Sequence, residues 1–426
     1  MAQESVAGCQ PPYMTPPVGD DCPVERIPDE IILYIFTIIV APSEIGIRAN
    51  PDTSEEGGKA SPSTLVGRKL QDIIAHVCGR WRAIALEMPS LWKCIDFTDG
   101  PPFDRSQAWI KRTKDYPLDI VLQCKRTRSI GFEDEESHID PCDLPAILDI
   151  ILPRVSRWGS FSFAADDTRE INDMVFALST AGEASELKSM ILSYRGALGW
   201  YRFVPFEVEE QLYVPFRGRA PKLLKLELDR VHLDWAQSSF FHGSSLAHLK
   251  VISNPSHLTL RPSFHDFTRT LGGCSNLSQL SLTNFGPSED VSSWPTGSVT
   301  ELPSLKRLTL SSFNTFYLAG LLRHLRFPNL RVMMAMMTTT THTDDLVASL
   351  CSAISPTKLV DLQLAWVHIA KRERDAAANR LLASIECLDG VLHIDRITTE
   401  MVFNAFTARW KQMDDPRCGL TDDDEC

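Results

Sequence analysis

Residues able to do chemistry are thinly spread along this chain of 426 residues. The nearest approach to a metal constellation is Cys124, His138 and Cys142, a histidine between two distant cysteines. It lacks the paired spacing and the fourth ligand of a structural zinc site. The eleven cysteines run from Cys9 to Cys426 with no C-x-x-C pair, which fits reduced thiols better than a disulfide framework. Cys78 falls beside Trp81 in a helical pattern, the setting of a packed thiol; a nucleophile needs an exposed electropositive one. No G-x-S-x-G elbow, G-x-x-x-x-G-K-[ST] phosphate loop, G-x-G-x-x-G turn or H-E-x-x-H helix is present. No catalytic, cofactor-binding or metal-binding residue is assigned, no cofactor is expected, and the chain reads as a non-enzyme.

Charge points the same way. A formal net charge of −12 argues against a nucleic-acid binder, which needs many phosphate contacts. The basic clusters Lys111-Arg112-Thr113-Lys114 and Lys125-Arg126-Thr127-Arg128 read first as solvated faces, with docking patches as the alternative. Glu133 to Glu136 reads as a solvated loop, and Thr421 to Glu425 as the end of a disordered tail. Asn276-Leu277-Ser278 matches a glycosylation sequon but falls in a predicted strand of a chain expected to stay inside the cell.

Binding by side chains on a repeated surface is the better-supported chemistry. The pattern L-x-x-L-x-L, with conservative replacements, occurs at Leu223-Leu226-Leu228, Leu246-Leu249-Val251, Leu277-Leu280-Leu282, Leu305-Leu308-Leu310 and Leu359-Leu362-Leu364. A degenerate copy lies at Leu330-Met333. Successive copies are spaced by about 23, 31, 28, 25 and 29 residues, near the window of repeat proteins, and the copies look like leucine-rich repeats. Less regular members are 157–163 and 187–192. Val231, Phe285 and Phe313, eight positions after the first leucine of their copies, are expected to plug the core. Helical patterns follow several copies, at Phe316 to Phe327, Asp344 to Ile354 and Ala370 to Leu388. Strand followed by helix, repeated, predicts a parallel sheet lining a curved solenoid.

Side chains alternate across a strand, so pattern positions four and six face the core while three, five and seven face the concave surface. The candidate substrate-binding face therefore comprises Lys225, Glu227, Asp229, His248, Lys250, Gln279, Ser281, Arg307, Thr309, Met334, Met336, Asp361 and Gln363, together with Ile252, Thr283 and Ser311. Met333, Met334, Met336 and Met337 either form an adaptable contact patch or divide between core and surface.

Two amphipathic stretches precede the repeats. Pro28 suits a first helical turn, and Asp29 and Glu30 complement the positive end of the helix dipole. Ile31, Ile32, Ile35, Phe36 and Ile39 then make one wide apolar face, ended by Pro42. This run is too short to cross a bilayer, and the first residues lack the basic and apolar regions of a secretory signal. An intracellular protein, cytoplasmic or nuclear, with no membrane partner is expected. In the second stretch Ile73, Val77, Trp81 and Ile84 recur at helical spacing until Pro89. Residues 42–69, rich in Pro, Gly, Ser and charge, read as a flexible insertion between the two.

Ile27-Pro28-x-Glu30-Ile31, then Val77-Cys78-x-Arg80-Trp81-Arg82 and Pro89-Ser90-Leu91-Trp92, resemble the opening and closing parts of F-box domains, particularly those of fungal F-box proteins with repeats. The resemblance implies docking to the Skp-type adaptor of a cullin-RING ubiquitin ligase through Pro28, Ile31, Ile32, Ile35, Val77, Trp81, Leu91 and Trp92, some of which pack inside the module while others touch the adaptor, a division the sequence does not sort. It also implies capture of a protein substrate by the rest of the chain.

The expected fold class is therefore α/β: an N-terminal all-helical F-box-like module, then an irregular leucine-rich-repeat solenoid with parallel strands on the concave face and helices on the convex face. The expected organisation is a disordered segment 1–26, an F-box-like domain 27–97, a linker and N-terminal cap 98–153, a solenoid 154–400, and a C-terminal helix with acidic tail 401–426. Within the cap, Trp109 to Thr113 reads as helix and Pro117 to Leu122 as strand. The expected function is the substrate-recognition subunit of such a ligase. The alternative is a repeat scaffold for protein interactions with no link to ubiquitin transfer.

Overall fold

The computed structural model describes residues 26–40, 71–125, 138–196, 212–237, 245–253, 260–339, 341–354, 359–366 and 397–398. The insertion 42–69, the helical pattern Ala370 to Leu388, the acidic runs Glu133 to Glu136 and Thr421 to Glu425, and basic residues 126–128 lie outside these. The chain divides into two compact units, Met1–Leu91 and Trp92–Cys426; the sequence reading placed the division after residue 97.

In the first unit Pro28 leads into helix α1 (Asp29–Val40), which opens on Asp29 and Glu30. The amides of Ile31 and Ile32 both donate to the Pro28 carbonyl, at 3.1 and 3.2 Å. Helical residues 71–77 form α2, and α3 runs Gly79–Glu87. The single helix expected through Ile73, Val77, Trp81 and Ile84 is therefore two. The break falls at Cys78, where the backbone is extended (φ −158°, ψ 169°) and Sγ accepts the Trp81 amide at 3.4 Å. Gly79 follows, the poorest helix former after proline, so restarting the helix with a new cap is cheap here. The break changes which residues turn inward: Ile74, Ile84 and Ala85 are buried, while Ile73 and Val77 are exposed.

Three interactions tie this unit together across the sequence. Phe36 of α1 meets Trp81 of α3 edge to face, with ring centroids 5.2 Å apart. Arg80 donates through Nε to Asp29 Oδ1 at 2.8 Å and through a second nitrogen to the Ile27 carbonyl at 2.6 Å. The buried Gln71 side chain donates to the Leu91 carbonyl.

The second unit carries the repeats. Its strands are β1 (Cys94–Ile95), β2 (Leu118–Cys124), β3 (Trp158–Ala165), β4 (Ser189–Tyr194), β5 (Lys225–Asp229), β6 (His248–Ile252), β7 (Gln279–Thr283), β8 (Thr300–Glu301), β9 (Arg307–Phe313), β10 (Leu325–Arg326), β11 (Val332–Met337), β12 (Asp361–Trp366) and β13 (Ile397–Thr398). Among the described residues, eleven of them form one sheet in the order β1-β2-β3-β4-β5-β6-β7-β9-β11-β12-β13. Every neighbouring pair in it is parallel. β8 and β10 make a small parallel pair of their own.

Strands that follow chain order without reversal, joined by crossovers that carry helices, make a solenoid-like α/β fold. The helices are α4 (Asp104–Arg112), α5 (Leu144–Ile151), α6 (Thr168–Thr180), α7 (Phe264–Gly273), α8 (Thr315–Arg323) and α9 (Thr343–Ile354). The stretch 98–153, read as linker and cap, contributes β2 to the same sheet, paired with β1 and β3.

Register makes the core a set of ladders. Ile95, Ile120, Phe161, Met190, Leu226, Leu249, Leu280, Leu308, Met333 and Leu362 pair in succession across the sheet, and all are buried. Two residues further along, Leu122, Phe163, Leu192, Leu228, Val251, Leu282, Leu310, Ala335 and Leu364 form a second buried ladder. Each such aliphatic side chain contributes about 1.5–3 kcal/mol by leaving water, which is why the leucines recur at fixed places. Val231, Phe285 and Phe313 are buried as plugs, and Met333 and Met337 belong to the core.

Helix starts are written locally. Asp167 caps α6 by accepting the Arg169 amide at 2.9 Å, and Asn314 caps α8 by accepting the Tyr317 amide at 2.7 Å. Ser263 and Asp266 exchange bonds at the start of α7, with Ser263 Oγ accepting the Asp266 amide at 3.1 Å.

Candidate functional site

The first candidate surface is the outer side of α1. Ile32 and Phe36 are fully buried, so the helix already has an inward face. Yet Ile31, Tyr34, Ile35 and Ile38, spaced i, i+3, i+4 and i+7, form a second apolar stripe exposed by 50%, 63%, 40% and 58%. In the same unit Ile73 and Val77, one turn apart on α2, are 56% and 52% exposed. A monomer seldom leaves so many large aliphatics in water on one small unit, and such patches mark interaction sites.

The residues expected to touch an adaptor separate accordingly. Pro28, Ile31, Ile35 and Val77 are exposed, and Trp81 is half-buried against Phe36. Ile32, Leu91 and Trp92 are buried, which places them with the residues that pack inside. Trp92 packs 5.8 Å from the Trp109 ring, with the Arg112 guanidinium 4.5 Å over its own ring. Tyr34, Ile38 and Ile73 were not among the expected contacts. Their signal was in the sequence, since Tyr34 and Ile38 continue the helical spacing from Ile31, but an apolar residue flanked by others reads as core.

The second candidate surface is the polar side of the parallel sheet. Pairing aligns it in three rows. One row runs Asp119, Ser160, Ser189, Lys225, His248, Gln279, Arg307, Val332, Asp361. The middle row runs Val121, Ser162, Ile191, Glu227, Lys250, Ser281, Thr309, Met334, Gln363, and the third includes Ser193, Asp229, Ile252, Thr283, Ser311 and Met336. The register thus brings every expected face residue onto one side, between the buried ladders. Ser311 is itself buried, and Met334 and Met336 are half-buried beside Thr309 and Ser311.

The electrostatics are strongest at β5 and β6. Glu227 accepts from Lys225 at 2.8 Å and lies 3.5 Å from His248 Nε2. Burial by itself would raise the Glu227 carboxyl, but Lys225, Lys250 and His248 together hold it below its ordinary value. Burial lowers the His248 imidazole, and the two lysines add to that; the nearby carboxylate and the Gln279 side chain oppose it and do not prevail. The imidazole is therefore neutral near neutral pH, with Nδ1 3.1 Å from Gln279 Oε1 as placed. With that amide turned to donate to Nδ1, Nε2–H faces Glu227 at 3.5 Å without a hydrogen bond. Next to this network, Asp229 takes hydrogen bonds from Arg230 at 3.1 Å and Ser193 at 3.3 Å, and the Arg230 guanidinium lies 5.3 Å over the Tyr194 ring. At the far edge Gln363 donates to Asp361 at 2.7 Å.

The cysteines fall elsewhere. Cys124 ends β2 in the core, its thiol pushed up to about 12 by burial and by Glu170, Asp166 and Asp140. Cys142 is exposed, and among the described residues no group of His, Cys, Asp and Glu is arranged to hold a metal ion. Cys78 is corrected from a packed thiol to an exposed N-cap. Asn276 is exposed in the turn before β7 rather than in a strand. Among the described residues no helix is long and apolar enough to cross a membrane. No protein-family model matches the chain, and no curated protein matches it.

Proposed function

We propose that the chain is a substrate receptor of a Skp-cullin-F-box type ubiquitin ligase, in which the N-terminal helices are an F-box and the sheet unit is a leucine-rich-repeat array. It performs no chemistry itself. The first unit docks a Skp-type adaptor, and the polar face of the sheet holds a protein for modification by the partners. The observation that carries this reading is the second apolar stripe of α1, Ile31, Tyr34, Ile35 and Ile38, on a helix whose opposite side is already buried. A helix apolar on both sides of a small unit needs a partner on the outer one, and the I-P-x-E-I opening resembles that of an F-box.

The experiment is co-purification of the chain with the Skp-type adaptor of its own organism, with residues 42–69 present and deleted. Capture in both forms is the expected result. Capture only after deletion makes the insertion a gate on the same surface. No capture by either folded form contradicts the receptor reading.

A further inference from the structure

The rows of the sheet face show where its charges are already spent. Lys225 is paired with Glu227, Asp229 with Arg230, and Asp119 with Lys93 at 2.9 Å. Lys250 of β6 and Arg307 of β9 differ: among the described residues neither side chain makes a hydrogen bond or ion pair, and Lys250 acts on Glu227 and His248 only through space. Between them lies β7, whose Ser281 is paired to Lys250 on one side and to Thr309 on the other, while Gln279 is paired to Arg307. Two unspent cations thus flank a floor of hydroxyls, in a chain whose formal net charge is −12. Next along the rows come the half-buried apolar residues Val332 and Met334 on β11.

We propose that this patch docks an extended acidic segment of a partner protein, with two carboxylates four residues apart followed by an apolar side chain. The spacing follows from the register. Lys250 and Arg307 are two strands apart and displaced by two residues, so their Cα atoms are separated by about 12 Å. An extended chain places residues i and i+4 on one side at about 13 Å. One carboxylate therefore meets each cation, with Ser281 and Gln279 of β7 beneath the segment between them, and the apolar residue beyond Arg307 meets Val332. Glu227 faces Lys250 from the neighbouring strand, but it takes its hydrogen bond from Lys225 and none from Lys250.

This deepens the receptor reading, since it names the class of protein captured, but it is tested without the adaptor. Failure of adaptor docking leaves peptide binding standing, and failure of peptide binding leaves adaptor docking standing. The experiment is fluorescence anisotropy of the full chain with a labelled twelve-residue peptide carrying Asp at positions four and eight and Leu at ten. Replacing both Asp by Asn should weaken binding at least tenfold, and moving the acids to adjacent positions at least threefold. Lys250→Gln and Arg307→Gln should each weaken it three- to tenfold, whereas Lys111→Gln on α4 leaves it unchanged. A Lys250→Glu/Arg307→Glu double variant should regain binding to the peptide with Lys at positions four and eight. Equal binding of the Asp and Asn peptides, no binding at all, or no effect of either cation variant would overturn the proposal. So would tighter binding of a polyuridine oligonucleotide that depends on the same two residues.

Discussion

On α1, adjacent residues have opposite duties. Ile31 and Ile35 lie in water while Ile32 and Phe36 are sealed inside the unit, so neighbours in sequence should respond differently to substitution. Phe36→Ala removes a buried ring that meets Trp81 and should destabilise the first unit by about 3–5 kcal/mol; thermal or denaturant unfolding measures this. Ile31→Glu should leave the unfolding midpoint nearly unchanged, because an exposed position away from special features costs within about 0.5 kcal/mol.

His248 and Glu227 supply a pH prediction at the same scale. The folded imidazole titrates below its ordinary value of 6.5, so the unfolded chain takes up a proton first as pH falls. The stability this contributes is complete above 6.5 and is lost as pH drops below it. Glu227 titrates below its ordinary 4.5, so its contribution is present above that value and is lost at still lower pH. Denaturant midpoints measured from pH 7.5 downwards should fall beneath 6.5, and His248→Gln should remove the upper part of that fall. An unaltered profile in the variant would mean that another group is responsible.

At the scale of the element, the strands were legible because their leucines obey two constraints at once, the alternation of a strand and the spacing of a repeat. Leu226, Leu249, Leu280 and Leu308 fall in one ladder because each pairs with the next. The helix break at Cys78 was not legible: Ile73, Val77, Trp81 and Ile84 keep helical spacing straight through it, and only the extended backbone and the sulfur cap reveal the change of face. The strand ends were also hidden. Arg230, Asn284 and Ser312, each at the eighth repeat position, adopt left-handed backbone with φ of 58°, 49° and 61°, and only asparagine among these types advertises it.

Ser312 sits at the register shift between β9 and β11, a bulge that spares Phe313 for the core. Ser312→Val should destabilise by about 1–2 kcal/mol, since a β-branched residue resists positive φ. Leu280→Ala in the middle ladder should cost about 2–5 kcal/mol. Both are read from equilibrium unfolding, and a larger loss at Ser312 than at Leu280 would show that the bulge, not the ladder, limits this part of the sheet.

For the whole molecule, the proposed receptor role rests on two unlike surfaces, one apolar and helical, the other polar and ruled into rows by the sheet. The polar rows could be written down from alternation alone, because a strand offers each side chain only two directions. The apolar stripe could not be separated from core in the same way, because α1 is hydrophobic on both sides and the burial of Ile32, Leu91 and Trp92 depends on long-range packing. The most direct test of the account is calorimetric titration of the Skp-type adaptor into the intact chain and into its Ile31→Glu/Ile35→Glu double variant, with circular dichroism of both. The account predicts saturable binding by the first and at least a hundredfold loss in the second with unchanged secondary structure. Equal binding by the two, or none by the unaltered chain, would contradict it.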